Sequence, residues 1–395
     1  MMETKLRILI VHNYYQIPGG EDIVVKNEKK LLENHGHMVW LYTRDNSEID
    51  SAKSLKKLCL PFSMIFNFRT YKEVKYIIQE QNIDILHVHN TMNLISPSVY
   101  YAAFRCHVPV VQTMHNFRLL CPGATFYRDG HICEECVEHG LGCAIKYGCY
   151  RESRLQTFIC VLTTKLHRIF GTYRKINFIC LTDFNKDKLL LLNQPGKKKI
   201  IDPDKVFIKP NFTFANTGQF LRGDYYLFVG RIEKIKGLDL LIEAFSQLPD
   251  RNLLIVGTGT EFEKYRLLAR RLNASNIKFT GFLEHGEIDN AYNRACAVIV
   301  PSQWYETFGM IIAEAFASHV PVIAGGIGNI GGLIENGKNG LTFTYNSCQA
   351  LINAIEHFEK LDRDSYGEAA YRTYQNQFSP ESNYEQLLNI YDQLI

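Results

Sequence analysis

Nowhere in the 395 residues does an apolar run reach the roughly 18 residues that a membrane-spanning helix needs. The nearest approach, 58-LCLPFSMIFNF-68, is far shorter and is interrupted by Pro61. The start, 2-METKLRILIVHNYY-15, has a basic residue and a brief apolar run but no small-residue cleavage site, so it reads as a first strand and not as an export signal. No G-x-x-x-x-G-K-[ST] loop occurs, no repeat of solenoid length is visible, and no nucleic-acid-binding motif accompanies the charge. These absences remove membrane spans, P-loop chemistry, solenoids and nucleic-acid binding. With 46% apolar and 22% charged residues, the balance is that of a globular enzyme.

Cysteine is not scarce. Eleven thiols in a chain without an export signal point to a reducing, cytoplasmic compartment, where they stay free or bind metal. The net charge of +3 hides an asymmetry: residues 1–205 carry 28 Lys and Arg against 20 Asp and Glu, the remainder 16 against 21. A basic first half suits an anionic surface; a chance difference between two solvated faces is the alternative.

The length suits two domains of about 200 residues. Short β-branched runs alternate with helical patterns: 6-LRILIV-11, 38-MVWLYT-43, 83-IDILHVH-89, 108-VPVVQTM-114 and 177-NFICLT-182. A linker-like passage, 209-KPNFTFANTGQFLRGD-224, precedes a second series: 225-YYLFVG-230, 252-NLLIVG-257, 277-IKFTG-281, 297-AVIVPS-302 and 320-VPVIAG-325. The pattern predicts an α/β chain of two doubly wound, Rossmann-like domains, each with a parallel sheet covered on both faces. The expected divisions are 1–205, 206–378 and a C-terminal helix over 379–395, with Ser379 as N-cap and Pro380 at the first helical position, packing back towards the first domain. In such sheets ligands sit off the carboxyl ends of the strands, so two facing domains create an interdomain cleft suited to transfer between two substrates.

In the second half, 230-GRIEKIKG-237 places Arg231 and Lys236 at a strand-to-helix turn, a forked donor and a point charge suited to a diphosphate. Gly257 and Gly259 form a G-x-G turn at the next crossover. The sharper signal is 301-PSQWYETFGMIIAEAF-316, where Glu306 and Glu314 stand in an apolar run. On one helix, eight residues of rise would separate them by about 12 Å. A glycosidase pair needs roughly 5–9.5 Å, so two separate acceptors for hydroxyl groups fit better. Phe308-Gly309 lies where a helix N-terminus can aim backbone N–H groups at an anion.

These residues, 230-GR…KG-237, 255-IVGTG-259, 277-IKFTGF-282 and P-S-x3-E-x7-E from Pro301 to Glu314, resemble the donor-binding domain of the retaining glycosyltransferases of family 4, which have the two-domain GT-B fold. The resemblance implies that Arg231 and Lys236 grip a nucleoside diphosphate and that Glu314 binds the ribose. It assigns the transferred sugar to Glu306 and the amides of Phe308, Gly309, Met310 and Ile311, and the base to the segment around Phe282. Family members work without a catalytic cation, and no D-x-D motif stands beside the site. One departure is Gly331-Gly332, where relatives often carry Pro-Glu; it removes a carboxylate.

In the first half, Gly19 and Gly20 in 11-VHNYYQIPGGEDIVV-25 resemble the family's glycine turn near donor phosphate and acceptor. His89 and His115 fall at two strand ends, and the resemblance assigns His115 to the sugar hydroxyls at the catalytic centre. Many relatives have His-Asp where this chain has His115-Asn116. An insert over 121–150 packs Cys121, Cys133, Cys136, Cys143 and Cys149 into 29 residues. The C-x2-C knuckle at 133–136 suits a structural zinc held by Cys121, Cys133, Cys136 and Cys149; free thiols on a loop are the alternative. Similar inserts occur in a branch of the family acting on polysaccharides. Basic residues interleave with aromatics in 53-KSLKKLCLPFSMIFNFRTYK-72 and 165-KLHRIFGTYRK-175, which suits an anionic membrane headgroup layer or an amphipathic helix buried on its sheet.

The resulting reading is a retaining transferase that moves a sugar from a nucleoside diphosphate to a hydroxyl of a glycan or lipid-linked oligosaccharide. The setting expected is capsule, exopolysaccharide or lipopolysaccharide assembly on the inner face of the plasma membrane. Retention comes from the resemblance alone. The rivals are a nucleotide-sugar epimerase on the same fold and a catalytically silent binding scaffold.

Overall fold

A computed structural model describes residues 5–15, 19–49, 61–216, 218 and 223–395. Residues 53–60 of the basic stretch at 53–72 and residues 16–18 of the glycine turn lie outside the described residues. The chain divides into two compact units, one of residues 1–126, 133–210 and 384–395 and the other of 127–132 and 211–383.

The first unit is built on six parallel strands in the order β2-β1-β3-β4-β7-β8. They run Arg7–Tyr14 (β1), Met38–Asp45 (β2), Ile85–Asn90 (β3), Val110–Met114 (β4), Asn177–Cys180 (β7) and Val206–Ile208 (β8). A two-stranded hairpin, Tyr127–Arg128 (β5) with His131–Ile132 (β6), groups with the second unit. Strands β3 and β4 are buried along their whole length, as strands covered on both faces must be. Helix starts follow local chemistry: the Asn67 side chain accepts from the Arg69 and Thr70 amides, and Ser153 from the Gln156 amide. Such a cap stabilises its helix by about 1 kcal/mol.

The second unit repeats the plan with the order β11-β10-β9-β12-β13-β14. Its strands are Tyr225–Val229 (β9), Asn252–Val256 (β10), Ile277–Gly281 (β11), Ala295–Val300 (β12), Val322–Gly325 (β13) and Gly340–Phe343 (β14), all parallel. A core of Phe228, Ile232, Leu241, Phe245, Ile255 and Phe358 fills the sheet's helix-covered face. In both sheets the strand order reverses beside the unit's first strand, at β1/β3 and at β9/β12, which places a crevice at the carboxyl ends of those pairs.

Two expected divisions shift. The break expected after residue 205 falls at 210, because Val206–Ile208 pairs with β7 as the sixth strand of the first sheet. The terminal helix, Pro380–Asp392, begins under the Ser379 cap, and its residues from Tyr384 onwards belong to the first unit. Tyr384 donates to or accepts from His37 Nε2 at 2.9 Å and Tyr391 meets His87 Nδ1 at 2.7 Å.

Candidate active site

At the switch point of the second sheet, the loop after β9 and the loop after β12 meet. Gly237 makes that approach: its φ is +71°, and a Cβ there would stand 2.1 Å from the Pro301 carbonyl oxygen. The Gln303 amide donates to the Ile235 carbonyl at 2.9 Å, tying the loops together. The contact sets Lys236 against Glu306, with Nζ 2.5 Å from Oε1. Ser302 Oγ donates to the same oxygen at 2.8 Å and the Trp304 indole N–H at 2.9 Å, while the Lys236 ammonium lies 5.3 Å from the Trp304 ring centroid. Glu306 is 8% exposed. Burial pushes its carboxyl up, but the charge of Lys236 and the hydrogen bonds from Lys236, Ser302 and Trp304 outweigh that and hold it below its ordinary value. Among the described residues no hydrogen bond uses Oε2, so one oxygen is pinned and the other keeps its acceptor capacity.

Glu306 precedes the helix Met310–Ala317, and Gly309 is that helix's N-cap at φ +87°. Phe308 is buried, with its ring against Phe378 and its carbonyl taken by Asn329 Nδ2, so its side chain belongs to the core. The first amides of the helix, Met310 and Ile311, have no partner within it and make an anion-binding end. Glu314 is one helical turn on, half-buried, and accepts from the Tyr292 hydroxyl at 2.8 Å. Burial, then the Glu314 carboxylate, pushes the Tyr292 phenol well above its ordinary range, so the hydroxyl keeps its proton.

Arg231 opens the same loop as Lys236 but is 53% exposed in its side chain and pairs with Glu233 at 3.0 Å. It stands at the strand tip without joining the Lys236–Glu306 contact. The Gly257 amide donates to Gly281 at 2.8 Å at the ends of β10 and β11, and Phe282, next in the chain, is 75% exposed. Gly331 and Gly332 form part of a short helix, Ile330–Leu333.

The first unit carries a buried ionic network at its own switch point. Glu28, on the helix Gly20–Asn34, lies 2.9 Å from His87 Nδ1, 3.2 Å from His89 Nε2 and 3.3 Å from the Lys209 ammonium. His89 Nδ1 then meets His115 Nε2 at 2.8 Å, the two rings stacked 5.1 Å apart. Burial pushes the Glu28 carboxyl up, yet His87, Lys209 and His89 hold it well below the ordinary range. Burial, then His87, lowers His89 to about 4. An ionised Glu28 only accepts, so neutral His89 donates through Nε2 and accepts through Nδ1. His115 therefore carries its proton on Nε2, leaving Nδ1 as its acceptor. Burial, then His89, keeps His115 neutral by lowering it well below its ordinary value.

Gly19 caps the helix Gly20–Asn34 at φ −130°, and a Cβ there would meet nothing within 4 Å. Its backbone does not require glycine, and no described residue would crowd a side chain there.

Of the four cysteines expected to hold zinc, three lie close together: a Cβ on Gly123 would stand 3.7 Å from Cys121 Sγ and 3.5 Å from the Cys149 Cβ, and Cys121 and Cys149 both bear on the Cys136 thiol. Among the described residues, the one group of three or more His, Cys, Asp or Glu side chains with ligating atoms within 4.8 Å of one another is Glu28, His87 and His89. Four sulfurs on zinc stand roughly 3.8 Å apart, given Zn–S of about 2.3 Å. Cys136 and Cys149 also pack with Leu141, Ala144 and Val161, and burial, then Cys121, pushes the Cys136 thiol to about 12. The Glu28 group already has a cation in Lys209.

Sequence reasoning passed over Ser302, Trp304, Tyr292, Glu28 and Lys209. Trp304 stood inside the quoted motif, two residues before Glu306. Ser302 stood there too, as the serine of that motif; Tyr292, Glu28 and Lys209 are joined to their partners by folding alone.

Residues 18–131 match the model described as Glycosyltransferase Family 4 and residues 212–391 that described as Glycosyl transferases group 1. The chain is a glycosyltransferase. Its fold is GT-B, as shown by the structure of the Anabaena protein HepE in complex with UDP, which superposes with a TM-score of 0.67 at 18% identity over 98% of this chain and all of that one. It is 25% identical over 374 residues to the alpha-monoglucosyldiacylglycerol synthase of Acholeplasma laidlawii, covering 88% of this chain and 86% of that enzyme. It is 36% identical over 177 residues to the D-inositol 3-phosphate glycosyltransferase of Corynebacterium aurimucosum, a match covering 42% of each.

Proposed function

We propose that this glycosyltransferase moves a hexose or related sugar, with retention, from a nucleoside diphosphate to a hydroxyl of a glycan or lipid-linked acceptor in cell-surface polysaccharide assembly. The observation that carries the reading is the Glu306 cradle: one oxygen fixed by Lys236, Ser302 and Trp304, the other without a hydrogen bond among the described residues, beside the first amides of the Met310–Ala317 helix. A sugar hydroxyl would donate to Oε2. The diphosphate would take Lys236, Arg231 and the helix amides as its positive partners. The bond from the sugar's anomeric carbon to phosphate oxygen breaks, the acceptor oxygen bonds to that carbon on the same face, and the acceptor's proton passes to the departing phosphate. Glu314 would receive the ribose hydroxyls and exposed Phe282 would stack on the base. His115 Nδ1 would accept from a sugar hydroxyl. UDP is the first nucleotide to try, since HepE is seen with it.

The same reading includes contact with an anionic membrane. Among the described residues no helix is long and apolar enough to cross one. The helix Arg154–Ile169 has a buried face of Thr157, Cys160, Val161 and Thr164, while Leu155 and Ile169 are 71% and 74% exposed and Phe170 beyond them 63%. Residues 153–182 contain no Asp or Glu but hold Arg154, Lys165, Arg168, Arg174 and Lys175. An apolar ridge among unopposed cations suits an anionic headgroup layer.

The test is to incubate the chain with UDP-sugars with and without glycan and lipid-linked acceptors. Acceptor-dependent UDP release supports transfer. Conversion of the donor without acceptor would indicate the epimerase, and binding without turnover the scaffold.

A further inference from the structure

Wholly within the first unit, a cavity of about 90 Å³ opens beside His115, at the carboxyl ends of β3 and β4. Its walls include Asn90, Thr91, Tyr100, Asn116 and Arg118, with Cys160 from the helix Arg154–Ile169 behind them. Arg118 has a poor set of partners for a half-buried cation. Its Nη1 donates to the Pro122 carbonyl at 3.3 Å, and its guanidinium sits 5.1 Å from the Tyr150 ring centroid. Among the described residues no carboxylate lies within 4.0 Å of it. Burial opposes its charge while Tyr15, Tyr150, Cys160 and Glu21 favour it, and the one carboxyl among these, Glu21, is itself pushed up to about 8 by burial. Asn116 Oδ1 accepts from the Arg118 amide at 3.1 Å, which fixes the amide's orientation and leaves Nδ2 as a donor without a protein partner among the described residues. Arg168 adds to the surplus, since it too donates to a carbonyl, that of Leu119, and among the described residues to no carboxylate.

A desolvated guanidinium is stable where an anion completes its fork of donors. We infer that this cavity binds a phosphate group carried by the acceptor, with Arg118 as the forked contact and Asn116 Nδ2 beside it. The inference rests on the proposed transfer reading and deepens it by naming the acceptor's chemistry. A phosphate held there stands next to His115 and would anchor the acceptor by its charge. The donor diphosphate is a separate ligand, assigned to Lys236 in the second unit.

The test uses the full chain with saturating UDP, so that the donor site is filled, and titrates inorganic phosphate and farnesyl phosphate by calorimetry. Expected is binding of phosphate that adds to UDP, weakened at least about tenfold in Arg118→Gln and less in Arg118→Lys, which keeps the charge but loses the fork. Farnesyl phosphate binding at least about tenfold tighter than inorganic phosphate would assign the phosphate to a lipid carrier; equal affinity would assign it to a soluble phosphorylated sugar. If wild-type protein with UDP bound takes up neither probe, or Arg118→Gln binds both as wild type does, the inference is overturned, whether or not other variants fold. A chain that does not bind UDP would instead defeat the transfer reading.

Discussion

The Lys236 ammonium and the Glu306 carboxylate touch at 2.5 Å, joining the loops after the two central strands of the second sheet. Neither side chain is more than a fifth exposed, so each is the other's main compensation for lost water. Replacing Lys236 by Met should cost on the order of 3 kcal/mol in urea unfolding, because an acid is left buried with only Ser302 and Trp304. UDP affinity should fall in the same variant. Unchanged stability would mean that the pair is not desolvated in solution.

The two acids should separate kinetically. Glu306→Gln should lower kcat by about 10²–10³-fold with little change in UDP affinity, since a pinned acceptor of a sugar hydroxyl acts on the transition state. Glu314→Ala should weaken UDP binding about tenfold or more, and Tyr292→Phe less, because Tyr292 holds Glu314 and does not reach the ligand itself. Equal kinetics for both acid variants and wild type would refute the division.

Gly237→Ala should be disproportionately harmful. The backbone is at φ +71° and the new methyl would stand 2.1 Å from the Pro301 oxygen, so the two loops must part. A loss of about 2 kcal/mol or more in stability is expected, together with weakened UDP binding. Retention of both would show that the loops adjust freely.

Stability should peak near pH 6.5. Unfolded His89 takes up a proton around its ordinary value of 6.5 while folded His89 waits until about 4, so the stability present above 6.5 is lost as pH falls through that window. Neutral His115, beside it, acts in the same direction, and Glu28, held below its ordinary 4.5 against burial by His87, Lys209 and His89, extends the loss at lower pH. Glu21 has the opposite sign: it stays protonated up to about 8 when folded, so its contribution declines as pH rises from about 4.5 to 8. His89→Asn should flatten the acid limb and Glu21→Gln the alkaline one, read from melting temperatures across pH 4–9. An acid limb unchanged in His89→Asn would remove the network from the account.

Vesicle flotation checks the membrane contact. The chain should rise with vesicles rich in phosphatidylglycerol and not with neutral phosphatidylcholine, and Ile169→Ser with Phe170→Ser should reduce that at least about tenfold. Salt should weaken it. Equal flotation of the double variant would sink the assignment of that ridge.

The two sheets were legible because β-branched runs of five to eight residues alternating with helical periods leave little but a doubly wound plan. The candidate site around Glu306 and Glu314 was legible because P-S-x3-E-x7-E is contiguous. What escaped was whatever the fold assembles from afar. Glu28 reads as one more polar position on an amphipathic helix, and only burial beside His87, His89 and Lys209, 59 to 181 residues away, makes it the hub of an ionic cluster. The cysteine cluster was half legible: the C-x2-C knuckle stands in the sequence, whereas the packing of Cys136 and Cys149 against Leu141, Ala144 and Val161 comes from the fold. A strand of three residues, Val206–Ile208, is too short to announce itself, so the domain break was placed early.

The hydroxyl of Tyr391, arriving 304 residues after His87, supplies the shortest of that imidazole's contacts, ahead of Thr113 and Glu28. During synthesis the first half of the protein can therefore form its sheet early but must hold its buried histidine unfinished while the second half is made. The last helix acts as a latch, and a ribosome stalled before residue 391 would leave behind two sheets of which the earlier-made one is the less complete.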